Sequence, residues 1–136
     1  MQPTEIVWLD GEFVPWDDAH MHVMSVGLNY GAGAFEGIRS YMTEDGPAIF
    51  RLQDHLKRLQ RSAKIYLLDL LGAPSTADLA EPCKELLRRN GLSRCYIRPI
   101  IFLGLGELNL TNPPPVHVAI ACWPWEDYLG TGGSAE

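Results

Sequence analysis

The sequence predicts an α+β fold, an antiparallel sheet with two helices on one face. Three observations carry that expectation. Short alternating apolar runs flank Asp10-Gly11; apolar residues then recur at three- and four-residue steps from Leu52; and two longer apolar runs close the chain, Arg94–Leu103 and Val116–Trp123. Hairpin, hairpin, helix, helix, strand, strand is the order of a sheet whose helices segregate to one side.

In "EIVWLDGEFVPW", residues Ile6–Leu9 and Phe13–Trp16 are strand-like, and Asp10-Gly11 tolerates the positive φ of a hairpin turn. Pro15 cannot donate to a ladder, so the second strand is expected at an edge. Residues 17–26 are polar and irregular. Gly37–Met42 alternates again, "TEDGP" turns, and Ala48–Arg51 returns as a second hairpin.

Leu52, Leu56, Leu59, Ala63, Tyr66 and Leu67 then form the stripe of an amphipathic helix of about four turns. Ser75 or Thr76 caps a second helix, with Asp78 in its first turn and Arg88, Arg89 and Asn90-Gly91 at its end. Pro82 inside it should kink it or cost a hydrogen bond. "TNPPP" marks the loop between the last two strands, and the tail "DYLGTGGSAE" has the composition of a flexible linker.

The bulk numbers exclude several classes. At 136 residues, 46% hydrophobic and 21% charged, the chain is one globular domain. A net charge of −6 offers no broad basic face for nucleic acid. No apolar run has membrane-spanning length, and "MQPTEIVWLD" lacks the order of a signal peptide. Cys83, Cys95 and Cys122 are odd in number and form no CxxC pair, as expected of buried thiols in a reduced, cytoplasmic protein.

The densest chemistry lies in "LNYGAGAFEGIRSY" (Leu28–Tyr41). It is not a dinucleotide fingerprint, because the spacing is GxGxxxG and no amphipathic helix follows to receive a pyrophosphate. On composition alone it reads as a tight turn entering a central strand. "DDAHMH" offers Asp17, Asp18, His20 and His22 as a rival metal set, although a polar loop is the commoner meaning of such text.

"NYGAGAFEGIR" is similar to the N-terminal signature of branched-chain amino acid aminotransferases, pyridoxal-phosphate enzymes of fold type IV. "WDDAHMHVMS", "FRLQDHLKRLQRSAKIY", "YIRPIIFLG" and "WPWEDYLG" resemble the same family in order and spacing, so the likeness runs from Ile6 to Gly130. It implies the small domain of D-amino acid aminotransferase-like enzymes over residues 1–127, followed at 128–136 by the start of an interdomain linker. It also implies reversible amino transfer between leucine, isoleucine or valine and 2-oxoglutarate, with glutamate as the shared donor, in a homodimer or larger assembly.

Residue by residue, the likeness places Arg58 on the cofactor phosphate. Phe35 becomes a wall of the side-chain pocket, Gly37 permits close approach of substrate, and Tyr30 and Leu110 reach in from a partner subunit. Tyr96, Arg98 and Tyr128 resemble the set that accepts a distal carboxylate at an apolar wall. Arg39 is expected to pair with a carboxylate such as Glu36 in support of that wall. The lysine that holds pyridoxal 5'-phosphate, and the acid that protonates its ring, come in this family from a larger domain. Lys57, Lys64 and Lys84 match no such motif, so residues 1–136 are expected to be inactive alone. D-amino acid aminotransferases and aminodeoxychorismate lyases share the fold type and remain alternatives, as does a stand-alone binding module.

Overall fold

Asp10 and Gly11 adopt φ of 48° and 101°, the paired positive values of a tight hairpin turn, and join β1 (Ile6–Leu9) to β2 (Glu12–Pro15). In the computed structural model, which describes residues 1–107 and 112–125, this hairpin begins a seven-stranded sheet. The other strands are β3 (Gly33–Phe35), β4 (Ile38–Thr43), β5 (Gly46–Ile49), β6 (Cys95–Leu103) and β7 (Val116–Pro124). Their order is β2-β1-β7-β6-β4-β5, with β3 also on β6, and every pairing is antiparallel. Pro15 ends an edge strand, as its missing N–H requires.

The expected α+β architecture is present. Helices α2 (Leu52–Ile65) and α3 (Thr76–Arg89) bury Leu52, Leu56, Leu59, Ala63, Leu79, Cys83 and Leu86 in one core with Ile38, Ile97, Ile101, Val118, Ile120 and Cys122 of the sheet. Ser75 caps α3 in a capping box with Asp78, and Gly91 (φ 62°) follows its end. All three cysteines are buried, and loss of solvent pushes the Cys83 and Cys122 thiols up to about 12.

Several boundaries differ from expectation. Helix α2 stops at Ile65, because Leu67 turns left-handed (φ 57°) and passes the core position to Leu68; Tyr66 and Leu67 are exposed. The return strand is Gly46–Ile49, and Arg51 (φ 47°) instead opens α2. Pro82 does lie inside α3, as the sequence places it, with Leu79 and Cys83 buried nearby. Where the irregular stretch ends, an unforeseen helix begins, α1 (Val26–Tyr30), too short at five residues to leave a periodic signal.

The last three residues of "GAGAF" are a strand. Gly33–Phe35 pairs with Phe102–Ile100, and Ile38–Ser40 with Ile97–Cys95, in one continuous register along β6. Carried across the gap, that register sets Glu36 opposite Pro99 and Gly37 opposite Arg98. The ladder breaks there because Pro99 has no N–H; its carbonyl still accepts from the Glu36 N–H at 3.0 Å.

Candidate functional site

Side chains alternate across a strand, and that alternation divides the candidate residues between two faces. Ala34, Glu36, Ile38 and Ser40 point into the layer under the helices, and all four are buried. Phe35, Gly37 and Arg39 point to the open face. So do Tyr96, Arg98, Ile100 and Trp123, by their pairing with the same strands.

On the open face Phe35, Gly37, Tyr96 and Arg98 form one cluster. The Arg98 guanidinium lies 4.3 Å from the centre of the Phe35 ring, and its Nη2 donates to the Tyr96 hydroxyl at 2.8 Å. Its Nε is buried with no hydrogen-bond partner among the described residues. Tyr96 in turn stacks on Trp123, with centroids 4.8 Å apart, and lies 5.2 Å from Trp125. Gly37 is the floor of this arrangement, since an added Cβ would fall on the Tyr96 hydroxyl. A cation backed by aromatic rings, with one N–H unspent in a dry place, can take a carboxylate while the rings take an aliphatic chain.

The phosphate candidate stands on the helix side. Glu36 is only 4% exposed, and its Oε1 accepts from Arg58 Nε at 2.5 Å while Oε2 accepts from Arg58 Nη2 at 2.6 Å. His55 Nδ1 is 3.0 Å from the same Oε2. The helix spacing of three between His55 and Arg58 puts both over one carboxylate. That pair in "HLKRL" was the available signal for His55, which sequence reasoning missed. With two of its nitrogens engaged on Glu36, Arg58 keeps Nη1 for a ligand. The side chain is 64% exposed and borders a groove of about 420 Å³ with Phe50, Arg51, Asp54, Lys57 and Arg61.

Burial alone would raise the Glu36 carboxyl, but hydrogen bonds from Arg58 and His55 outweigh it and hold the group below its ordinary 4.5. A carboxyl depressed by folding contributes stability that is present above 4.5 and lost as pH falls through the lower, folded value. Urea midpoints taken from pH 7 down to 3 should therefore drop more steeply below 4.5 for the wild type than for Glu36→Gln. Identical slopes would contradict that assignment.

One expected pairing is corrected. Arg39 does not pair with Glu36: three residues apart on one line of strand, they face opposite sides, and Glu36 meets Arg58 and His55 instead. The Arg39 guanidinium lies over the open-face rings, 5.7 Å from Tyr41 and 5.4 Å from Trp125. Tyr30 ends α1 at 59% exposure, apart from the cluster. Leu110 and Tyr128 lie outside the described residues. Among the described residues no three metal-ligating side chains come together, and His22 accepts the Met24 N–H through Nδ1. No helix among them is long and apolar enough to cross a membrane.

Comparison with known proteins identifies the family. The family model for amino-transferase class IV matches residues 33–132. The branched-chain-amino-acid aminotransferase of Salmonella typhimurium is 44% identical over 130 residues, covering 93% of this chain and 41% of the relative. That of Pseudomonas aeruginosa is 43% identical over 126 residues, covering 92% and 40%. The Escherichia coli branched-chain amino acid aminotransferase crystal structure superposes with a TM-score of 0.85 at 43% identity, over 94% of this chain and 42% of that one. A T.th. branched-chain amino acid aminotransferase complexed with N-(5'-phosphopyridoxyl)-L-glutamate gives 0.80 at 41% identity, over 91% and 42%. The chain thus spans about two fifths of the length of the relatives it matches. With β3, the open-face cluster and Arg58 all inside the matched span, the chain belongs to the class IV aminotransferases.

Proposed function

We infer that residues 1–127 form the substrate-side domain of a branched-chain amino acid aminotransferase that uses pyridoxal phosphate, with 128–136 leading into a larger domain. The observation that carries this reading is Arg98 over the Phe35 ring, with Tyr96 on one side and a buried, unspent Nε. Such an enzyme must seat a branched aliphatic side chain and the distal carboxylate of glutamate in the same place. Phe35 and the neighbouring aromatic rings suit the first, and the Arg98–Tyr96 pair suits the second.

The donor set around Arg58 suits the cofactor's phosphate. Its fork is held by a carboxylate on one edge and open on the other, so the phosphate would meet an oriented and permanently charged donor. Glu36 and His55 keep the guanidinium from turning. When bound, pyridoxal phosphate supplies the electron sink that makes amino transfer possible. Gly37 lets the substrate backbone approach the sheet, and the Phe35 face excludes water from the side-chain end of the pocket. Lys57, Lys64 and Lys84 are exposed on α2 and α3, and Lys84 is 3.3 Å from Glu81, so the cofactor lysine is assigned to the larger domain. Tyr30, exposed at the end of α1, is assigned to the pocket of a second copy in a homodimer.

The test is to co-express this chain with the lysine-bearing domain of the Escherichia coli relative. A yellow complex that converts leucine and 2-oxoglutarate to glutamate is expected. Arg58→Gln should weaken cofactor retention by roughly 10–100-fold, the equivalent of one lost charge-assisted hydrogen bond of about 1.5–3 kcal/mol. A complex that assembles and stays colourless would overturn the assignment.

A further inference from the structure

The pair Asp10–His117 lies outside the cluster just described, at the other end of the sheet. His117 Nδ1 is 2.6 Å from Asp10 Oδ2. An ionised carboxylate only accepts, so Nδ1 carries the proton. The other Asp10 oxygen accepts the Val118 N–H at 2.8 Å, and the Asp10 N–H donates to Val118 O at 2.9 Å. Asp10 is therefore fixed by the turn and by β7, and it fixes the imidazole in turn.

That ring is pressed into place. It stacks on Phe102, with centroids 5.6 Å apart and planes 27° off parallel. Its Cδ2–Nε2 edge rests on Gly104, where an added Cβ would overlap both atoms. Gly104 is the seat of α1: its carbonyl accepts the Val26 N–H at 2.9 Å, and its N–H donates to Pro115 O at 2.8 Å. The far end of α1 is tied one residue earlier, where the Leu103 N–H donates to Ala32 O at 3.1 Å. Gly27 packs so tightly on Leu103 O and Phe102 Cβ that a Cβ there would lie 2.8 and 3.2 Å from them. Both anchors of the short helix therefore sit on Phe102–Gly104, and His117 backs that segment from the side.

We propose that Asp10 and His117 are positioning residues: clamped together, they hold the end of β6 and so set the direction in which α1 presents Tyr30. The substrate half of this proposal rests on the reading of Tyr30 given above; the clamp itself does not. A five-residue helix has little stability of its own, so its two anchors decide where it points.

Hydrogen exchange on this chain tests the clamp directly. In His117→Ala and in Asp10→Ala, the amides of Val26 and Leu103 should exchange about tenfold faster or more, while those of Ile97 and Ile120 keep their rates. Unchanged rates at Val26 and Leu103, or a rise shared equally with Ile97 and Ile120, would overturn it. The assembled enzyme tests the purpose. There His117→Ala should raise KM for leucine about fivefold and leave kcat within about twofold. An unchanged KM would remove the substrate role even where the exchange result holds. A wild-type assembly without transamination would defeat the proposed function and the substrate half together, whereas the exchange result depends on neither.

Discussion

Gly37→Ala is expected to dismantle the open-face cluster. The new methyl would overlap the Tyr96 hydroxyl and lie 2.9 Å from its Cζ. Tyr96 cannot slide away, because Trp123 and Trp125 lie against it. The ring must turn, and the 2.8 Å bond to Arg98 is lost with it. Overpacking of this kind costs about 1–3 kcal/mol. In the aminotransferase proposed above, a displacement of about 1 Å in this cluster should lower kcat/KM by about 10²-fold. Urea melts and steady-state kinetics check the two halves. Adding Tyr96→Phe, which deletes the clashing oxygen, should restore part of the stability without restoring use of glutamate. A Gly37→Ala enzyme within about twofold of wild type would show that the floor is not tight.

The second large effect is on folding. Asn90 closes α3, and its side chain reaches across to the first strand. Oδ1 accepts from the amides of Glu5 and Ile6 at 3.2 and 3.0 Å, while Nδ2 donates to Ile6 O and Leu86 O, each at 3.0 Å. Pairing between β1 and β7 covers only Trp8 and Leu9, so Ile6 has no ladder partner on that side. One amide thus replaces a missing length of strand. Asn90→Ala strands an N–H and a C=O of Ile6 in a half-buried place, and the loss should be about 2–3 kcal/mol. The urea midpoint of the variant measures this directly; a change below about 0.5 kcal/mol, the ordinary range of a surface substitution, would mean that water takes over the bonds.

Much of the fold was legible because its signals are local. A turn that demands positive φ marks itself with Asp-Gly, a helix that buries one side repeats at three and four, and Ser75 or Thr76 with Asp78 marks the start of α3. Those elements are all present, with the shifted ends described above. The misses have physical causes of the same local kind. The stop of α2 depends on Leu67 turning left-handed, which leucine rarely advertises. The α1 helix is shorter than two turns. The strand in "GAGAF" was hidden because small residues carry little apolar signal, and because Pro99 interrupts the ladder in the middle of its partner.

The site was legible in another way. Phe35, Gly37, Tyr96, Arg98 and Arg58 were singled out by family likeness, and the structure draws the first four of them together. The likeness could not say which side of the strand each side chain takes. Glu36 and Arg39 looked like partners because they are close along the chain; the two-residue period of a strand sends them to opposite faces. Glu36 finds Arg58 and His55 only because α2 packs over β3 and lowers one turn of helix onto a buried carboxylate. His117 and Asp10 lie 107 residues apart, and nothing in either neighbourhood forecasts the other.

By itself, the sequence determined the fold class, the first hairpin, the two long helices, the two long strands and, through its likeness, the family. The elements follow from patterns complete within a few turns or residues, and the family from motifs in register along the chain. What only the tertiary structure decided is the set of partners distant in sequence: Arg58 with Glu36, Arg98 with Phe35, Asn90 with Ile6, and His117 with Asp10. The physical reason is that a buried charge or amide must be satisfied by whatever group the packing brings within about 3 Å, and that depends on register and helix placement across the whole sheet.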